Sequence, residues 1–241
     1  MKIFSKFLFY CLFSLIAATH VHAQLTVFNV SSSDITDKGK ISVQQQFEIN
    51  DEVESSTTAT YGLGRKWEAG LNLINLDYSV RNRQIEINDT TTTIPFAPLL
   101  LANAQKVFDL NQILGIGIGA VAGTNLGHPH KSSLVYYGYS NLVVSAGNDQ
   151  RYQFAAGPYI SNHRYLSDGP VFGVQAAMDA GIWHKKLHLL ADWISGSHQK
   201  GKLSVGLEVF LTQNLPLAFG WQRGNHDGAQ AAVFQITFIP K

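Results

Sequence analysis

Ionisable side chains are scarce in this sequence, and a few of them are placed where they can act together. Asp179, His188, Asp192 and Glu208 fall on three consecutive segments, 170–183, 186–196 and 201–212, in which apolar and polar residues alternate. All four sit on the polar parity. Asp179, His188 and Glu208 share one end of their segments. An imidazole set among carboxylates attracts positive charge. Such a group forms either a polar binding site or constriction in a pore, or a buried network that holds a wall together, since carboxylates in a narrow space need partners whatever their function. Glu48 and Glu68 lie on the same kind of face, and the sequence assigns them no partner.

A second group lies in the connections. His128, His130, His163, His198 and His226 fall in or beside the longer loops, with Asp168 and Asp227 nearby. Neutral imidazole and carboxylate suit Zn, Cu or Ni. The spacing matches no closed metal motif, so these residues are expected to be solvated loop histidines, and no metal or cofactor is expected. Ser132, Ser133, Ser161 and Ser197 lie near rim histidines, which raises the question of a hydrolase. The sequence has no G-x-S-x-G elbow and no H-E-x-x-H. The glycines of Leu114 to Gly123 recur at every second position, so they do not make a dinucleotide loop. The chain is not expected to be an enzyme.

The elements that position these residues can be read from the pattern. Residues 1–23 carry Lys2 and Lys6, an apolar run from Phe7 to Ala18, and Val21-His22-Ala23 before Gln24. That is a cleavable export signal, and its apolar run is too short to span a membrane. The one cysteine, Cys11, lies within it, and the bulky Phe9 and Tyr10 argue against a lipid anchor. The mature chain therefore has no disulfide framework. Once Lys2 and Lys6 are removed from 18 basic residues, the 17 acidic ones leave a net charge of −1. No basic patch marks a nucleic-acid partner.

Period-2 alternation predicts twelve strands: 40–50, 55–65, 67–80, 97–109, 112–124, 133–146, 151–164, 170–183, 186–196, 201–212, 215–224 and 229–239. Short and longer connections alternate, as they do on the two rims of an outer-membrane barrel, and an even strand count puts both termini on the short-turn rim. Side-chain size decides which face is lipid. Leu203, Val205, Leu207, Val209 and Leu211 oppose Ser204, Gly206, Glu208 and Phe210, and Leu114, Ile116 and Ile118 oppose Gly115, Gly117 and Gly119. A soluble barrel of this size would be too wide for its own side chains to fill. Turned outward, the aliphatic face meets acyl chains. Trp67, Phe108, Tyr152 and Phe238 fall at the short-turn ends, and Trp193, Trp221, Phe47 and Tyr137 near the other rim, as interfacial belts require.

Two strands resist this reading. Strand 97–109 has two competing parities, which send either Lys106 or Asn103 and Gln105 toward lipid. Strand 133–146 switches parity near Ser140-Asn141.

The export signal and the last strand, Ala229 to Phe238, resemble those of bacterial outer-membrane β-barrels. The terminal strand is similar to the signal read by the outer-membrane assembly machinery, although Ile239-Pro240-Lys241 follows its aromatic. The hairpins YGLGRKWEAGLNL (Tyr61 to Leu73) and LSVGLEVFLTQNLPLAFGWQ (Leu203 to Gln222) are similar to those of transporter barrels of the phenol-degradation, MetA-pathway type. This resemblance implies passage of a small solute. The expectation is an all-β chain with a signal peptide at 1–23, a polar periplasmic lead-in at 24–39, and a monomeric up-and-down barrel at 40–241 in the bacterial outer membrane. Selectivity would lie with Glu48, Glu68, Asp179, His188, Asp192 and Glu208, with a preference for cations. A non-conducting barrel that works through its loops is the alternative. Segment 81–96 is the expected candidate for a loop that folds inward.

Overall fold

The structure is a computed structural model, and it describes residues 27–88, 95–127, 134–147, 151–183 and 186–240. The expected export signal at 1–23 lies outside the described residues.

Thirteen strands form one antiparallel sheet. They are β1 (Ile41–Ile49), β2 (Glu52–Gly64), β3 (Trp67–Ser79), β4 (Gln84–Ile85), β5 (Leu99–Asp109), β6 (Leu114–Asn125), β7 (Val135–Ala146), β8 (Tyr152–Ser161), β9 (Phe172–Trp183), β10 (Leu187–Ile194), β11 (Lys202–Thr212), β12 (Leu215–Gly224) and β13 (Gln230–Phe238). Strand β4 only extends β3, through Tyr78↔Ile85 and Ser79↔Gln84. The other twelve close a ring. Its seam is β1 against β13, in register from Val43↔Phe238 to Ile49↔Ala232. Closure gives every strand two neighbours and removes the free edges that hydrocarbon cannot solvate.

The aliphatic face points out. Leu203 is 40% exposed and Ile118 49%, whereas Ser204 and Glu208 are buried inside the ring. Trp67, Phe108, Tyr152 and Phe238 are exposed at the short-turn rim, and Trp193 and Trp221 near the other. Tyr137 departs from the expected belt. It is buried in the lumen, where it stacks on Tyr159 at 5.4 Å between centroids.

Both difficult strands keep one parity. In β5 the odd residues face inward and Lys106 faces out. No bulge is needed, because Lys106 lies near the short-turn rim and snorkels. Its Nζ donates to the Arg65 carbonyl at 2.6 Å and lies 5.2 Å from the Trp67 ring centre. Strand β7 runs in unbroken register along β6, from Gly123↔Val135 to Leu114↔Val144. The switch expected at Ser140-Asn141 does not occur, since Asn141 is buried inside and Leu142 is exposed outside.

The interior is filled by the chain's own N-terminal segment. Residues 27–38, expected as part of a periplasmic lead-in, turn in at the short-turn rim and run up the lumen. Lys38 bridges Gly62 near the rim, Thr36 lies beside Ser42 and Thr60, and Phe28 reaches the middle of β10. Val27, Phe28 and Val30 are buried against inward-facing Ala155, Ala177, Leu190, Ala218 and Val233. The core of this barrel is thus inside the ring, and part of the inner face is apolar rather than polar. Lumen-facing glycines make the room. A Cβ on Gly206 would lie 2.7 Å from Phe28 Cζ, and one on Gly117 would collide with Ser33.

Of segment 81–96, residues 89–94 lie outside the described residues. Gln84 and Ile85 extend β3 as a hairpin, and Phe96 packs with Leu99, Leu101 and Val135 under the long-loop rim. Beside this cluster is the one-turn helix α1 (His163–Leu166), capped by the Asn162 side chain, which accepts from the Tyr165 N–H. Together they cover the β5–β9 side of the lumen.

Candidate functional site

Every inward acid has to find partners, and the inner segment supplies many of them. Asp192, on β10, lies among Ala, Leu and Phe side chains where an unpaired carboxylate is costly. Its Oδ2 accepts the Phe28 and Val30 N–H groups, each at 3.0 Å, and the Asn29 N–H as well. Asn29 Nδ2 also donates to Ser204 on β11 at 2.8 Å. Glu68, on β3, accepts the Thr36 N–H at 2.8 Å. Between these anchors, Asn141 on β7 donates to the Ser31 carbonyl, and Gln105 on β5 donates to the Asp34 carbonyl. The segment is therefore held from β3, β5, β7, β10 and β11. Backbone N–H and C=O groups that would be orphaned in a lumen are paired with wall side chains instead.

Glu48 belongs to a different group. The strand register sets Glu48 opposite Glu54, and Glu54 opposite Asp77, so three carboxylates stand side by side on β1, β2 and β3. Lysines face them from the far wall. Lys202 on β11 pairs with Glu48 at 2.7 Å, and Lys200 pairs with Glu54 at 3.1 Å while donating to Asn75 at 2.7 Å. Burial disfavours the Lys200 ammonium, but Glu54 and its neighbours outweigh it and hold the lysine above its ordinary value. Sequence reasoning missed both lysines. Lys202 was accessible to it, since it shares the inward parity of Ser204 and Glu208. Lys200 lies in a loop and carries no such signal.

These groups line a mouth of about 590 Å³ at the long-loop rim. Its acids include Glu48, Glu54, Asp77, Glu86, Asp168 and Asp227, against Lys200 and Lys202. A second cavity of about 660 Å³ opens at the short-turn rim, bounded by residues 33–38 of the inner segment and by Arg65, Lys66 and Asp109. A small void of about 130 Å³, lined by Phe28, Asn29, Tyr137 and Lys200 among others, lies below the acidic mouth. The inner segment bounds the short-turn cavity through residues 33–38, and through Phe28 and Asn29 it lines the small void, which shares Glu54 and Lys200 with the acidic mouth.

The remaining expected residues come together as a cluster. His188 Nδ1 and Asp179 Oδ1 are 2.6 Å apart, and Glu208 is paired in register with His188. The rim histidines do not gather. His163 bonds the Ser167 carbonyl, His198 bonds the Tyr159 hydroxyl at 2.7 Å, and His226 is exposed. None of the three joins a group of converging metal-ligand side chains among the described residues. His128 and His130 lie outside the described residues. Neither the His163 bond nor the His198 bond is to a serine hydroxyl, the contact a hydrolase needs. Burial lowers the His198 pKa from its ordinary value.

No protein-family model and no curated protein sequence matches the chain. Solved structures do. A KdgM porin, also solved in complex with disordered oligogalacturonate, superposes with a TM-score of 0.56 at 10% identity, covering 83% of this chain and 99% of that one. The outer membrane phospholipase A from Escherichia coli gives a TM-score of 0.44 at 12% identity, covering 83% of this chain and 89% of that one. Together with the outward aliphatic face, the first likeness places this fold among bacterial outer-membrane β-barrels.

Proposed function

We propose that this protein passes small polar solutes, cations in preference, across the outer membrane, and that residues 27–38 form the gate of its pore. The observation that carries this reading is a lumen entered by a cavity at each rim and occupied between them by one segment, which bounds the short-turn cavity and the small void under the acidic mouth. Acids outnumber lysines at the outer mouth, which raises the local concentration of cations. Apart from the bridge of Lys38 to Gly62 at the rim, the segment is bonded to wall side chains rather than paired as a strand, so it can leave without opening the ring. The likeness of the hairpins at 61–73 and 203–222 to MetA-pathway transporter barrels supports passage of a small solute. We read the barrel as a monomer, delivered by the assembly machinery through β13.

Single-channel recording in planar bilayers tests the proposal. The wild type should show rare or small cation-selective steps. A Phe28→Ala, Asp192→Asn double variant should open more often or more widely. The second reading is a non-conducting barrel that acts through its loops, and the anchoring of the segment on strands all round the ring favours it. Silence from both proteins, with folding intact by heat-modifiable migration, would select it.

A further inference from the structure

Glu208 is an inward acid that neither the inner segment nor a lysine partners. It is 1% exposed, and its Oε2 has no hydrogen-bond partner among the described residues. Asp179 on β9, His188 on β10 and Glu208 on β11 each offer one ligating atom, and those atoms lie within 4.8 Å of one another. Among the described residues this is the one group of three metal-ligand side chains so arranged. Asp34, from the inner segment, adds a further carboxylate whose charge acts on Glu208 and is felt from Asp179. Arg151 reaches this part of the wall, but its guanidinium donates to the carbonyls of Gly181 and Ile182. The result is a cluster of one imidazole and two carboxylates, with a third carboxylate acting on it and a buried acceptor that lacks a donor. A cation would satisfy that acceptor, and a buried carboxylate oxygen without a partner is costly.

We propose that Asp179, His188 and Glu208 bind a divalent transition-metal ion inside the barrel wall, beside the gate segment. One imidazole nitrogen with two carboxylate oxygens suits Zn²⁺ and its near neighbours, and three protein ligands leave a position for water. Adjacent strands fix the ligands, so the site is built by the register and not by a loop. It stands whether or not the barrel conducts. Bound metal would also offset the charge that crowds Asp34, and so favour the docked segment.

The test is calorimetric titration of purified, refolded, chelator-treated barrel with Zn²⁺, in a His128→Ala, His130→Ala, His226→Ala background that removes rim binding. One Zn²⁺ per barrel is expected, with binding weakened by roughly tenfold or more in Glu208→Gln and in Asp179→Asn. Absence of binding, or binding in both variants as tight as in the unaltered background, overturns the proposal. Should a variant fail to fold, the ring nitrogens of His188 in the rim-histidine background report directly by NMR. A shift on Zn²⁺ addition supports the site, and unchanged resonances overturn it.

Discussion

Phe28 and Asp192 are 164 positions apart in the chain, yet the Phe28 N–H donates to Asp192 Oδ2 at 3.0 Å, in the middle of the barrel. The same oxygen takes the N–H groups of Asn29 and Val30. One carboxylate thus holds three successive backbone amides, and the start of the folded chain becomes the filling of the ring.

Replacing Asp192 with Asn should loosen that hold. Hydrogen bonds to a charged acceptor contribute about 1.5–3 kcal/mol each, and a neutral amide oxygen accepts them more weakly. Amide hydrogen exchange at Phe28, Asn29 and Val30 should accelerate in the variant, by an opening free energy lower by about 1–3 kcal/mol. Exchange in β10 and β11 should stay slow.

The fit of the segment to the wall is tested at Gly117. A Cβ there meets Ser33 and no other residue close by, so Gly117→Ala should disturb the segment and spare the strands. Ser33→Gly should restore docking in the double variant, since it removes the clashing side chain. Ser33 also has a positive φ of 65°, which glycine adopts freely. A double-mutant cycle on segment protection should give a coupling of about 0.5–3 kcal/mol.

Ion preference should follow the acidic mouth. In the Phe28→Ala, Asp192→Asn background, adding Glu54→Gln and Asp77→Asn should move the reversal potential in a salt gradient toward zero. The shift should be largest at low ionic strength, where charge is least screened.

Most of the barrel could be read from the sequence because lipid imposes one rule on every strand. Leu203, Val205 and Leu207 had to face one way, and Ser204 and Glu208 the other. Lys106 misled because a long side chain near a rim can snorkel, a freedom that alternation does not encode. The inner segment was not legible. SSSDITDKGK has no periodicity and too few apolar residues to announce a buried element, and its partners lie up to 208 positions away. Two signals pointed to it without naming it. Asp192 and Glu68 needed donors, and Gly117, Gly206 and Gly220 left more inner space than a polar lining uses. Partners for the loop histidines are set by how loops fold over one another, so spacing alone could not choose Tyr159 as the partner of His198.

Acid should open the loop at 195–201. Burial depresses the His198 pKa, so the folded loop favours the neutral ring. Its contribution is intact above the ordinary histidine value of about 6.5 and falls as pH drops through the lowered folded value. Limited proteolysis of this loop should speed up as pH falls below about 6.5, and His198→Gln should flatten that dependence.

The central claim is that residues 27–38 lie within the ring, against its polar face. The sequence has one cysteine, Cys11, so with Cys11→Ser a designed pair can be read cleanly. Asn29→Cys combined with Ser204→Cys should form a disulfide on mild oxidation of the folded barrel in membranes, and Asn29→Cys combined with Val205→Cys should not. A bond to position 205, or no bond to 204 with position 29 open to water-soluble thiol reagents, would contradict it.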